Sequence, residues 1–391
     1  MKKINTLFAV ILVLAFSSCG EDDPLDPVLN GAKQLECYYD ADITLTNHNP
    51  DGIDYIADCL VEVSGGTMII ENGVTIEFKS SAGLEINGEG ILKANGISGS
   101  PIIFKGTSSS PSWRGIYINS TQANNTMDHV EILDAGDGAS FMLFEETTAA
   151  VTVEGRFSMR NSLISNSGGV GIVTEEVSNE ASFDYFEDNT IEECASFPIY
   201  INMNRSHNFD FASCTFIENG ENMVGFHDFR DDRLYSPLVL EALDVPYFIR
   251  GTMDLYAGLT LEAGVDLVMG NNALLKVSTS AEPFLNIQGT QSNRVTIRGK
   301  EALSGYWQGI YIATNNAKNI FENLDISDGG STLIGWNDSP ANITLEDKAR
   351  LKLINSTSAR SGSSCDLVIS TFFGENVVLD NENSDFTVCT E

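Results

Sequence analysis

Basic residues are scarce in this chain. Lys and Arg number 22 against 55 Asp and Glu, a formal net charge of −33. A field of that sign repels phosphate backbones and excludes nucleic acid as a partner. It also disfavours acidic polysaccharides unless a cation bridges. Histidine is limited to 4 scattered residues and no CxxC occurs, so the usual zinc spacings are missing. No helical apolar stripe of useful length appears, which argues against a helical protein. Proline, at 10 residues, is far outnumbered by 34 Gly and 33 Asn. That balance of turn-formers suits an all-β repeat. Charged residues make up only 20% and hydrophobic ones 42%, so the chain has the content for a core and is not a disordered acidic segment.

Long apolar runs are missing too, with one exception. Leu7 to Phe16 is a ten-residue run behind the basic Met1-Lys2-Lys3, too short to span a bilayer. Ser17-Ser18 then precede a lone Cys19. This resembles a bacterial lipoprotein signal: residues 1–18 removed and Cys19 acylated, the acyl chains holding the protein to outer-membrane lipid. The plain alternative is an ordinary signal peptide with an incidental cysteine. Glu21-Asp22-Asp23 follows. An acidic run at this place resembles surface-export signals of some Gram-negative outer-membrane lipoproteins, which implies the cell surface; otherwise it is a solvated tether. Residues 19–33 read as that tether.

Without Cys19, six cysteines remain. They fall into local pairs spaced 22, 20 and 24 residues, giving Cys37–Cys59, Cys194–Cys214 and Cys365–Cys389. Disulfides are permitted in an exported protein, and one repeat length apart is where a stacked repeat superimposes two residues. Buried free thiols are the alternative.

The chain is written twice. Trp113-Arg114-Gly115-Ile116-Tyr117-Ile118 returns as Trp307-Gln308-Gly309-Ile310-Tyr311-Ile312, 194 residues later. Val130-Glu131-Ile132-Leu133-Asp134 returns as Leu324-Asp325-Ile326-Ser327-Asp328, and Val151-Thr152-Val153-Glu154 as Ile343-Thr344-Leu345-Glu346. The matches keep their order. Two copies are expected, over 34–228 and 229–391. Within each copy, strands of three to five alternating residues are bounded by turns such as Asn72-Gly73 and Asn87-Gly88. Short strands at a 20-to-28-residue period predict a parallel β-solenoid. At about 24 residues per coil, roughly 15 coils and about 70 Å of length are expected.

Gly73-Val74-Thr75-Ile76-Glu77-Phe78, Gly83-Leu84-Glu85-Ile86, Leu92-Lys93-Ala94, Pro101-Ile102-Ile103-Phe104 and Trp113 to Ile118 form a progression. It resembles bacterial right-handed parallel β-helix surface proteins of the pectin-lyase-like kind. The resemblance implies an all-β, internally duplicated right-handed parallel β-helix. It implies little about function, since this architecture hosts lyases, hydrolases, adhesins and spacers.

For chemistry, Asp184, Glu187, Asp188 and His207 are the candidate acid–base groups, and Arg156 and Arg205 the candidate lyase bases. None sits in a recognised motif, and with 55 carboxylates chance clusters are expected. Arg230-Asp231-Asp232-Arg233 at the junction reads as an ion-paired loop. No residue is assigned a catalytic role, and no metal ligand set is assigned. Calcium is the candidate cation, through Asp134 with Asp137 and Asp325 with Asp328, though neither segment follows a full calcium-loop pattern. Trp113, Tyr117, Trp307, Tyr311 and Trp336 are candidate platforms for stacking on sugars, or else pack against the next coil. Asn161, Asn189, Asn202 and Asn219 are expected to bond coil to coil. The expected function is a non-catalytic, lipid-anchored β-helix for display or for binding a glycan or surface protein. The alternative is a polysaccharide lyase or glycoside hydrolase.

Overall fold

A computed structural model describes residues 31–391, except 138–140, 142–146, 176–180, 230, 279–281, 336–337, 347 and 371–375. Cys19, Trp336 and Arg230 therefore lie outside the described residues, as do the signal segment and all but the last three residues of the tether.

The chain is a parallel β-helix. Alternating residues send their apolar partners inward: Thr75–Phe78, Leu60–Val63 and Ile102–Gly106 each bury every second side chain. Each short strand cannot satisfy its own backbone. Stacking on the equivalent strand one coil away supplies both edges, and all the strand pairings are parallel. One continuous apolar column results, from Leu35 to Leu367. Against the expected 15 coils, the longest sheet has thirteen strands. The difference is coil length. Paired residues are 20 apart at Tyr247 and Leu267 but 35 apart at Ile116 and Val151, because turns between strands vary in size.

The solenoid has three sides. The first carries an eight-stranded sheet from Lys33–Gln34 to Thr215–Ile217, then a six-stranded sheet opening at Leu238–Leu240. The second carries one thirteen-stranded sheet from Tyr38–Tyr39 to Thr357–Ala359, unbroken across residue 228. The third carries six strands ending at Ser182–Glu187, the 3-10 turns of Met203–Asn208, then seven strands from Arg233–Leu234 onward. The two halves thus share one sheet and one core.

Polar rungs run through the turns. Buried Asn125 accepts from Leu92 N–H at 2.8 Å, Asn189 from Ser162 N–H at 3.1 Å, Asn219 from Cys194 N–H at 3.1 Å and Asn319 from Leu285 N–H at 3.0 Å. Asn161 donates to Asp128 and Asn202 to the Asp231 carbonyl, both at 2.9 Å. Every one of these bonds links neighbouring coils.

Two disulfides close coil upon coil. Cys37–Cys59 has a Cα separation of 5.9 Å and Cys365–Cys389 one of 5.8 Å. The expected Cys194–Cys214 bridge is absent, and both residues are free thiols. Register explains it. Here the coil is 25 residues long, since Thr190 pairs with Thr215. Cys194 therefore stacks on Asn219, and Cys214 lies next to Asn189, whose carbonyl accepts from Thr215 N–H. The 20-residue spacing falls five residues short. Burial pushes the Cys194 thiol up to about 12 and the Cys214 thiol up to about 11.

Candidate functional site

The repeated Trp-x-Gly-Ile-Tyr-Ile segment is where the sequence is most alike, so the geometry starts there. Trp113 and Trp307 are fully buried. Trp113 lies flat on Phe78 with 4.2 Å between ring centroids, and its indole N–H donates to the Leu133 carbonyl at 2.8 Å. Trp307 donates to the Ser327 carbonyl at 2.7 Å. Neither face is open to a sugar, so these two are packing residues and not stacking platforms. The glycine is a backbone requirement. Gly115 has φ +100°, and a Cβ there would sit 2.6 Å from the Ala149 carbonyl oxygen of the next coil. Gly309, at φ +121°, makes the same approach to Ala341.

The tyrosines point outward. Tyr117 donates to Glu154, and Tyr311 donates to Glu346 at 2.5 Å. Both glutamates are buried. Burial first, then the Glu154 bond and the charges of Glu154, Glu85 and Glu175, push the Tyr117 phenol well above its ordinary range. It stays protonated and is no base. Phe141 stacks on it at 5.1 Å, and the Arg114 guanidinium covers Phe141 at 3.9 Å. Tyr117 is thus half covered, and Tyr311 is likewise only partly accessible.

The outward row that holds each tyrosine is repeated in kind. On the second side it reads Glu62, Glu85, Tyr117, Thr152, Val173. On the third side it reads Asp254, Lys276, Tyr311, Thr344, Val368. A polar constellation is therefore shared by the two copies, which the alignment alone does not reveal. Its signal was present: Glu154 and Glu346 close matching strings. What was missing is the coil length that sets each glutamate two positions beyond the tyrosine's partner.

The copies also change side. From the Trp113 strand to the Trp307 strand the chain passes 22 sides, which is seven and one-third turns. Ile116–Ile118 lies on the second side and Gly309–Ile312 on the third.

Several candidate catalytic groups stack on the third side, since Phe186 of Ser182–Glu187 pairs with Phe209 just after the 3-10 turn that carries Arg205 and His207, but two of them are already bound to each other. Arg156 forks onto Asp184, with Nη2 to Oδ1 at 2.5 Å and Nε to both oxygens at 3.0 Å. Arg160 binds Asp128 at 2.8 Å and lies 3.8 Å from Glu187. Asp188 sits at a left-handed corner, its N–H donating to Ser213 at 2.8 Å. His207 is exposed on the 3-10 turn that also carries Arg205. Of the calcium candidates, Asp134 accepts from Asn166 at 2.7 Å. Asp325 pairs with Arg294 at 2.8 Å and Asp328 with Arg360 at 2.5 Å. Burial would raise the Asp325 carboxyl, but bonds from Arg294 and Thr357 hold it below the ordinary value. Among the described residues, the one close trio of metal-ligating types is Cys37, Asp58 and Cys59, and both of its sulfurs are in the disulfide.

Two clefts stand out. One, of about 270 Å³, opens on the first side beside Thr215–Ile217, bounded by Ala242 to Val245, where the two sheets of that side fail to join. The other, of about 490 Å³, lies at the corner after Gly309–Ile312 and is lined by Glu282, Thr314, Asn315, Asn316, Lys348 and Arg350, with Ala313 and Ala317. Comparison with family models, with curated proteins and with solved structures returns no match to this chain.

Proposed function

We propose that this is a non-catalytic, lipid-anchored β-helix of the bacterial outer-membrane surface, of the pectin-lyase-like kind, serving display or the binding of a glycan or surface protein. The observation that carries the reading is the closure of its polar groups upon one another. Tyr117 with Glu154, Tyr311 with Glu346 and Arg156 with Asp184 each consume the groups an acid–base or lyase site would need free. A general base and acid must be free to converge on one reacting atom, and Arg156 and Asp184 are instead bound to each other. The Leu7–Phe16 run before Ser17-Ser18-Cys19 supports the anchor.

Two measurements test it. Cys19→Ala should move the protein out of the membrane fraction, and an unchanged fraction with no acyl group by mass spectrometry refutes the anchor. Purified protein incubated with pectin, alginate and neutral glucans, with and without calcium, should release no products. Products lost on replacing Arg205, His207 or Asp184 would establish a lyase or hydrolase instead.

A further inference from the structure

On the first side the chain leaves two strand edges facing each other without pairing. Thr215–Ile217 is the last strand of one sheet and Leu238–Leu240 the first of the other, while on the second side the same two coils pair normally, Val224 with Tyr247. Phase explains the break. Ile217 stands seven residues before Val224, and Leu240 seven before Tyr247. Counting back from that pair sets Phe216 opposite Val239. Phe216 packs on the core, whereas Val239 points to solvent between buried Leu238 and Leu240. Parallel partners must face the same way, so a ladder at this offset would turn one strand inside out.

The open edge is equipped to pair. Thr215 N–H donates to the Asn189 carbonyl and the Ile217 carbonyl accepts from Glu193 N–H, so both residues face the preceding coil. Phe216, between them, turns its N–H and C=O to the break, where the carbonyl accepts from the Asn222 side chain at 3.3 Å. Sheet edges are usually blunted by charge or proline. Neither Thr215-Phe216-Ile217 nor Leu238-Val239-Leu240 carries either, and the outward Ile217 and Val239 are 42% and 53% exposed. Two clefts of about 270 Å³ each lie along the break and share Phe211 and Ala212. An added strand suits such an edge, its main chain supplying affinity and its alternate side chains specificity. Charge selects the kind of strand. Asp210, Glu241 and Asp244 line the clefts and, among the described residues, no Lys or Arg does. A second copy brings another −33, and residues 19–30 of this chain carry Glu21, Asp22, Asp23 and Asp26 with no base, so both are repelled. A basic segment is drawn in.

We propose that this break docks one extended segment of a partner protein, apolar at alternate residues and basic at its ends, which pairs with the open edge of Thr215–Ile217. The inference rests on the binding reading above and adds a site and a partner class to its surface-protein branch. The probe is a short acetylated peptide that alternates valine and threonine between paired lysines, titrated calorimetrically into the full chain. It should bind in saturable fashion and weaken with salt. It should also protect the Phe216 amide from hydrogen exchange and slow alkylation of Cys214, a free thiol that lines the cleft. Glutamates in place of the lysines should abolish binding. N-methylation of the central residues removes the strand's donors and should weaken binding by about tenfold or more. Ile217→Lys and Val239→Lys should each cost about tenfold or more, whereas Leu303→Lys, at an exposed apolar residue elsewhere, should leave binding unchanged. No heat with the lysine peptide overturns the proposal, as does equal binding of the N-methylated peptide or equal loss in Leu303→Lys. A dimer in sedimentation that Ile217→Lys dissolves would assign the break to a second copy and overturn it too. Cleavage products from glycans with peptide binding intact would refute only the non-catalytic reading. Absent peptide binding without products would refute only this one.

Discussion

Acidification should weaken the middle of the solenoid through one imidazole. His227 closes the strand Val224–His227 on the second side and is fully buried although it faces outward. Its ring stacks on Phe229 at 4.1 Å and meets Tyr200 edge-on at 5.2 Å. Nε2 lies 3.0 Å from the Thr174 hydroxyl, and Nδ1 has no partner. Burial first, with the charge of Arg250 adding to it, lowers the imidazole from 6.5 to about 3. The folded state thus refuses a proton that the unfolded chain accepts. Stability is complete above about pH 6.5 and is lost as pH falls toward 3. At about 1.36 kcal/mol per unit, the loss is about 2 kcal/mol at pH 5 and of order 4–5 kcal/mol by pH 3. A solenoid opens regionally, so the readout should be local. Hydrogen exchange of the Val224–His227 amides, measured from pH 7 to pH 5 and corrected for intrinsic rates, should show protection falling by roughly 10- to 30-fold. In His227→Gln that pH dependence should vanish, whatever the variant's baseline. Equal slopes in the two proteins would refute the reasoning. Carboxylates such as Asp128, held low by hydrogen bonds from Asn161 and Arg160, and Asp325, held low by Arg294 and Thr357, add their own losses only at more acid pH.

Gly115→Ala should cost at least about 2–4 kcal/mol, since it combines a left-handed φ with a backbone oxygen that has no room to retreat. Urea unfolding checks it, and an unchanged midpoint would contradict the packing described. Tyr117→Phe should cost about 1–3 kcal/mol, because it leaves the buried Glu154 without its phenolic donor. Glu154→Gln in the same background should recover part of that loss in the same assay. Peptide mapping without reductant should find 37–59 and 365–389 bridged, with Cys194 alkylated only after denaturation. A 194–214 cross-link would overturn the register at that coil.

Alternation and turn residues were enough to read the all-β class and the stacked coils, because both follow from period two and from the need to pair every strand edge. The limits came from coil length. Spacings of 22 and 24 residues lay within three of the local coils, 24 at Tyr38 and Glu62 and 21 at Leu367 and Val388, so the turns could bring those cysteines together. The spacing of 20 met a coil of 25, and no composition argument reveals that. Trp113 and Trp307 illustrate the same limit. Their repetition was visible, but only the Leu133 and Ser327 carbonyls and the Phe78 ring explain why indole is required. The ion pair of Lys352 with Asp380 was the least legible, a relation between residues 28 positions apart that exists only once the coils are in register.

A duplication of seven and one-third turns has a consequence for how the two halves diverge. Had the insert been a whole number of turns, both copies of any patch would look the same way, and one flat neighbour would press on both. Here they look out a third of a turn apart and about 35 Å apart along the axis. Whatever the protein lies against can touch one and leave the other facing open water. The copies are thus under separate pressures from the moment of duplication, and they already differ: Arg156 is ion-paired with Asp184, while its counterpart Arg350 makes no ion pair among the described residues.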